Sequence, residues 1–439
     1  MTIDISTIIL ADIEPAERTA LVTRAAVPDD AVRQTAAAIV AEVGTTGDAA
    51  LKAYGKELGG GASTGELRVD GTDMKRAFTN AAPELIKALD AAIAAIRIVH
   101  HAQIPTEQEI APAPGVTVTR RWSPLRRVGV YVPGGGASYP SSLLMGVVPA
   151  QVAGVRDIAV VCPASSTGAI DDSVLTAAHM LGITEMYTAG GAQAIGALAH
   201  GTETIPRVQK IVGPGGAWVT AAKLAVYGRV GVDLPAGPSE AAVVVDSATD
   251  PAIAAADLLC QAEHGPESVV ALITSDRGAA ERIVSEVELQ LERLARSEII
   301  RKALSDHGLV IIAPNHADAL IFADEWAPEH VSILTETPHS DARAITAAGS
   351  VLLGVWTPES AGDYATGANH ILPTGGLAAA YGPVSTEDFG SWTQVQELTR
   401  DGLEHLAPTI RSLAQQEGLT AHAACVDARL KTPLVQASL

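Results

Sequence analysis

The run Val128-Gly129-Val130-Tyr131-Val132-Pro133-Gly134-Gly135-Gly136 sets a five-residue apolar strand signal directly against a proline and three glycines. Strand, glycine turn and then a helical stretch is the rhythm of a parallel sheet with crossover helices. The same rhythm repeats downstream. Short apolar runs occur at Ile158 to Cys162, Glu185 to Thr188, Lys210 to Val212, Ala241 to Val245, Val269 to Thr274, Leu309 to Ala313, Val331 to Leu334 and Val351 to Val355. The pattern predicts an α/β protein with largely parallel, doubly wound sheets in two lobes, 120–235 and 236–375. Upstream, residues 1–119 read as a mostly helical arm, with helices expected over Asp29 to Val43 and Pro83 to His100. Downstream, 376–439 reads as a C-terminal extension. From Thr393 onward it has helix-like apolar spacing at Leu398, Leu403, Leu406, Ile410 and Leu413 and needs a surface to dock on.

Bulk properties agree with a well-buried chain of more than one core. It has 439 residues, 47% of them hydrophobic and only 18% charged, so disorder is excluded. A formal charge of -20, without any Lys/Arg cluster, argues against nucleic acid as a partner. The N-terminus lacks a basic leader, and the apolar stretch Leu143 to Val155 is broken by Pro149 and too short to span a bilayer, so a cytoplasmic protein with no membrane partner is expected. Three scattered cysteines, Cys162, Cys260 and Cys425, argue against a disulfide framework and against a Cys-rich zinc knuckle. Any metal here needs nitrogen and oxygen ligands.

Three glycine-bearing strand-to-helix junctions, at Tyr131 to Gly136, Ala189 to Gln193 and Gly213 to Gly216, offer close backbone approach and unpaired helix N–H groups to a pyrophosphate. Each alone reads better as a tight turn and none is a full dinucleotide fingerprint, but three within about 85 residues shift the reading toward a nucleotide site. A helix over Thr249 to Gly265, with Pro251 in its first turn, places Gln261 and His264 three apart on one face. With Asp363 in Glu359-Ser360-Ala361-Gly362-Asp363-Tyr364 and His422 in the tail, these could supply two oxygens and two nitrogens to zinc, though manganese or cobalt suits the same set. Taken singly, a histidine such as His264 is more commonly a packing residue or a helix cap, and Asp363 reads as a turn cap and His422 as a surface residue. Glu329-His330, after Pro328 and before an apolar strand, offers two groups for proton transfer, although for a bare dipeptide a turn glutamate beside a strand-capping histidine is the commoner explanation.

Together these segments resemble the histidinol dehydrogenase family over nearly the whole chain. The resemblance rests on Val130-Tyr131-Val132-Pro133-Gly134-Gly135, Gly190-Gly191-Ala192-Gln193-Ala194-Ile195, Ala236-Gly237-Pro238-Ser239-Glu240, Gln261-Ala262-Glu263-His264-Gly265, Pro328-Glu329-His330 and Ser360-Ala361-Gly362-Asp363-Tyr364, in that order. It implies one zinc ion per subunit on Gln261, His264, Asp363 and His422, and Glu329 and His330 as the catalytic acid-base pair. It implies substrate contacts at Ser239, His370 and Glu417 as well as at Gln261, His264, His330, Asp363 and His422. NAD contacts are implied at Tyr131 and Gln193, with Gly216 on the third loop. The implied fold is two incomplete Rossmann-like lobes with terminal extensions, in a domain-swapped homodimer whose tail completes the neighbouring site. The implied activity is NAD-linked oxidation of L-histidinol to L-histidine by way of the aldehyde, in histidine biosynthesis.

Two positions depart from the family pattern. Gly216 stands where asparagine commonly contacts NAD, which weakens that contact, and Phe389-Gly390-Ser391-Trp392 replaces a stretch that is often basic, which points to a paralogue for another small amino alcohol or diol. A zinc hydrolase using Glu329 without a nucleotide is the rival from another class, and a non-catalytic metal-binding scaffold is the bland limit.

Overall fold

The computed structural model describes residues 5–24, 27–134, 138–234 and 237–431. Gly135, Gly136 and Ala236, quoted above, lie outside the described residues. The chain divides into two compact units, one of residues 1–103 and 125–389, the other of 104–124 and 390–439.

In chain order, β1 (Ser6–Ile9) precedes a helical stretch whose longest members are Asp30–Thr46 and Pro83–His101, and then come β2 (Gln108–Ala113) and β3 (Val116–Pro124). The first lobe follows with β4 (Arg127–Tyr131), β5 (Asp157–Cys162), β6 (Glu185–Thr188), β7 (Lys210–Val212) and the two-residue β8 (Gly231–Val232). The second lobe contributes β9 (Glu240–Val244), β10 (Val269–Thr274), β11 (Gly308–Ile312), β12 (His330–Ile333) and β13 (Ser350–Leu353), and β14 (Gly390–Leu398) belongs to the second unit.

Both large sheets are parallel throughout. The first has order β6-β5-β4-β7-β8 and the second β1-β11-β10-β9-β12-β13. In the first, chain order reverses between β4 and β7, which opens a crevice beyond the carboxyl ends of those two strands. The strands are buried on both faces, as crossover helices require. Val128 and Val130 of β4, for example, are fully buried. The helix Pro140–Ala153 is buried all round from Ser142 to Ala150, so the interrupted apolar stretch of the sequence is a core helix, with Pro149 inside it. Among the described residues no helix is long and apolar enough to cross a membrane.

Each of the nine apolar runs is a strand, but the edges differ from the sequence expectation. β1, in the arm, pairs with β11 and so extends the second lobe's sheet. Residues 108–124 form an antiparallel pair, which β14 joins along β3 in register from Gly390↔Pro124 to Leu398↔Val116. Leu398 is therefore a strand residue, and the tail's helices are Arg400–Gln416 and Thr420–Lys431. The Gly390 departure has a packing cause within this unit: a Cβ there would lie 2.1 Å from the Trp122 ring, and Trp392 is stacked under the guanidinium of Arg120.

Candidate functional site

The helix Pro251–Ala262 is capped by Asp250, whose side chain accepts from the Ala252 N–H. As the crossover that follows β9, it runs back against the strand direction, so its carboxyl end returns to the amino edge of the second sheet. There Gln261 is fully buried, and both its amide oxygen and its amide nitrogen lack a hydrogen-bond partner. A buried amide left unpaired on both sides costs about 1–3 kcal/mol per group, so the site is built for something that satisfies it. His264 follows one turn on. Its Nε2 lies 3.8 Å from Asp363 Oδ2, and its Nδ1 lies 3.3 Å from the Cys260 carbonyl and 4.0 Å from Glu359 Oε1.

Asp363 sits on the short helix Glu359–Tyr364 after β13. Its other carboxylate oxygen is 4.0 Å from His330 Nε2 and 3.9 Å from His370 Nδ1, and its backbone carbonyl is 3.1 Å from that same His370 nitrogen. Among the described residues, the ion-pair partners of Asp363 and Glu359 are histidines. Donor atoms of His264, Glu359 and Asp363 all fall within 4.8 Å of one another. Two ligand atoms on one zinc ion at about 2.1 Å each can be no more than about 4.2 Å apart, which the His264–Asp363 separation meets. The orphaned amide, the histidine and the paired acids together fit a divalent cation.

Glu329 and His330 enter at the same edge. The helix His316–Trp326 ends at Ala327, the single non-glycine residue with positive φ (46°) among those described, and Pro328 then directs the chain into β12. Glu329 is buried, and its Oε2 accepts the Glu240 N–H at 2.9 Å from the neighbouring start of β9. Burial holds its carboxyl well above the usual range, the Glu240 N–H works against that, and the charges of Glu240 and Asp363 add to the rise. Burial likewise lowers His330 to about 4, with Asp363 opposing, so the ring is neutral near pH 7. Glu359, almost fully buried with Oε1 accepting no hydrogen bond, is raised first by burial and then by the charges of Asp363, Glu329 and Asp257.

Of the remaining expected residues, Ser239 is half-buried immediately before β9, and His370 approaches Ser142 of the first lobe at 3.4 Å. Glu417 and His422 belong to the second unit and are exposed, and the cluster just described is composed of first-unit residues. Glu359 and Ser142 were not singled out from sequence. Glu359 was visible as the residue four before Asp363 on one helix face, whereas Ser142 gives no sequence signal.

The three glycine junctions meet at the first lobe's switch point. The Tyr131 hydroxyl accepts the Gly191 N–H at 3.2 Å, and Gln193 is buried just inside the helix Gly191–His200. Gly213, at φ 128°, comes so close to Tyr131 that a Cβ would lie 2.0 Å from its carbonyl oxygen. Lys223 Nζ bonds both the Gly213 carbonyl and Asp233, at 2.5 Å each, and ties that loop down. The helix opening at Gly216 has no side-chain cap, so its first N–H groups are available to an anion, and a Cβ at Gly216 would meet nothing within 4 Å.

Residues 22–430 match the family description Histidinol dehydrogenase. The chain is 46% identical over 423 residues to histidinol dehydrogenase from Halobacterium salinarum, covering 96% of this chain and 98% of that protein. It is 41% identical over 418 residues to histidinol dehydrogenase from Geobacter sulfurreducens, covering 95% and 97%. The crystal structure of histidinol dehydrogenase from Elizabethkingia anophelis superposes with a TM-score of 0.91 at 36% identity, over 97% of this chain and 98% of that one.

Proposed function

The chain belongs to the histidinol dehydrogenase family, and from that premise we propose that it oxidises L-histidinol to L-histidine through the aldehyde, with two hydride transfers to two NAD molecules. The observation that carries this is the gathering of His264, His330 and His370 around the buried Asp363 carboxylate, with Glu329 next to His330 in the chain. Gln261, His264 and Asp363 would hold one zinc ion, with His422 as fourth ligand, and the ion would orient and polarise the substrate hydroxyl. NAD at the rim formed by Tyr131, Gln193 and Gly216 would supply the hydride acceptor.

The protein's own groups divide the proton work. His330, neutral and facing Asp363 through Nε2, takes the alcohol proton at that atom in the first oxidation. Glu329, whose burial makes it a stronger base than an exposed carboxylate, then draws a proton from the water that attacks the aldehyde. His330 serves again in the second oxidation. Ser239, His370 and Glu417 hold the substrate, the last through its ammonium group. One set of residues serves both steps because the aldehyde need not leave. A quantitative assay checks this: two NADH per histidinol, without free aldehyde, is expected, and preferential oxidation of another alcohol, or one NADH per substrate, overturns it.

The active unit is a cytoplasmic homodimer in which the tail of each subunit supplies His422 and Glu417 to its neighbour. Exposed Val355 and Trp356, the latter 92% accessible just past edge strand β13, support a covered face in an assembly. Mixing His330→Ala with His422→Ala under exchange conditions places both lesions in one site of the mixed dimer and leaves the other intact. Activity is therefore expected to reappear, and mixed dimers as inactive as the parents rule out tail sharing.

A further inference from the structure

We propose that Arg24 is a positioning residue for Glu329: its guanidinium staples the end of the helix His316–Trp326 to the start of β9 and thereby fixes the Glu329 carboxylate on the Glu240 amide. The guanidinium carbon lies 3.7 Å from the centroid of the Trp326 ring. On its edge, Nη2 donates to Glu240 Oε1 at 2.8 Å and Nε to Oε2 at 3.1 Å, a two-pronged pair with a side chain only 2% exposed. The Glu240 carboxylate also accepts the Gly375 N–H at 3.0 Å, while its own backbone N–H is the donor to Glu329. Only Ala327, in its left-handed conformation, and Pro328 separate Trp326 from Glu329. One cation thus touches both anchors of the turn that presents the base, and it lies on an N-terminal segment otherwise remote from the chemistry.

Charge adds to geometry. Without Arg24 the buried Glu240 carboxylate would stand uncompensated beside buried Glu329, and like charges in that setting push apart. The staple acts on the aldehyde step because, in the reading on which this inference rests, Glu329 is the base for that step alone.

The test separates positioning from stability. R24M leaves Glu240 alone, so the double variant R24M/E240Q, with no unpaired charge and the Glu240 backbone donor kept, is the decisive protein. Relative to E240Q it is expected to lose on the order of tenfold or more in kcat for supplied histidinal, as loosening of a reacting group does, with KM within about twofold. R24K, which keeps a cation over Trp326 and against Glu240, is expected to lose less than R24M. A kcat for the double variant equal to those of both E240Q and the unmodified enzyme overturns the proposal. Amide exchange at Glu240, followed by mass spectrometry, reads the staple without turnover: it should quicken on the order of tenfold in the double variant over E240Q. Unchanged exchange overturns the staple. An unmodified enzyme that reduces no NAD with histidinol overturns the functional reading instead, and exchange still decides the role of Arg24.

Discussion

Asp363→Ala and His264→Ala are each expected to lower bound metal from about one ion per subunit to a trace after dialysis, and to abolish turnover with it. Outer-shell changes around a metal typically cost about 10–100-fold in affinity, and removal of a ligand must exceed that. Asp363 is the more severe of the two. It faces His264, His330 and His370 at 3.8 to 4.0 Å, so its loss removes the anion that the three rings share as well as a ligand. Gln261 would be left with a buried, unpaired amide and no ion to satisfy it. Elemental analysis beside a thermal unfolding curve checks the result, and stoichiometric metal in both folded variants would sink the assignment.

The second large effect concerns the division of labour between Glu329 and His330. Glu329→Gln is expected to slow oxidation of supplied histidinal by about 100- to 10,000-fold, the usual range for loss of a general base, and the first oxidation of histidinol by less than about tenfold. Glutamine keeps the shape of the side chain and an oxygen to accept the Glu240 N–H, so the β9–β12 contact survives and the loss is chemical. Single-turnover kinetics on each substrate separate the two steps. Equal losses on both would contradict the split.

The doubly wound core was legible because burial on both faces demands continuous apolar runs, and those from Val128 to Val355 stand out against glycine turns. Edge elements were not. β1 and β2 lie at sheet margins, where half-exposed strands carry ordinary polar residues. β14 reads Gly390-Ser391-Trp392-Thr393-Gln394-Val395-Gln396-Glu397-Leu398, and the apolar spacing of the helix after it overrode its strand character. In the site, Gln261 with His264 was visible as helix spacing, because two polar groups on one helix face leave a local signature. Glu240 left none. Its relation to Glu329 depends on parallel pairing of β9 with β12, almost ninety residues apart in the chain, and only sheet order brings such groups side by side. Arg24 is more distant still, and nothing in its neighbours announces a partner on β9.

Gly213 and Gly216, three residues apart on one loop, face opposite evolutionary circumstances. The first is locked: any side chain collides with the Tyr131 carbonyl, so that turn can be inherited but scarcely revised. The second opens onto empty space at an uncapped helix start, where a larger residue can be gained or lost without disturbing the core. If the dinucleotide lies there as proposed, a substitution at Gly216 can change its contact while the architecture beneath stays fixed.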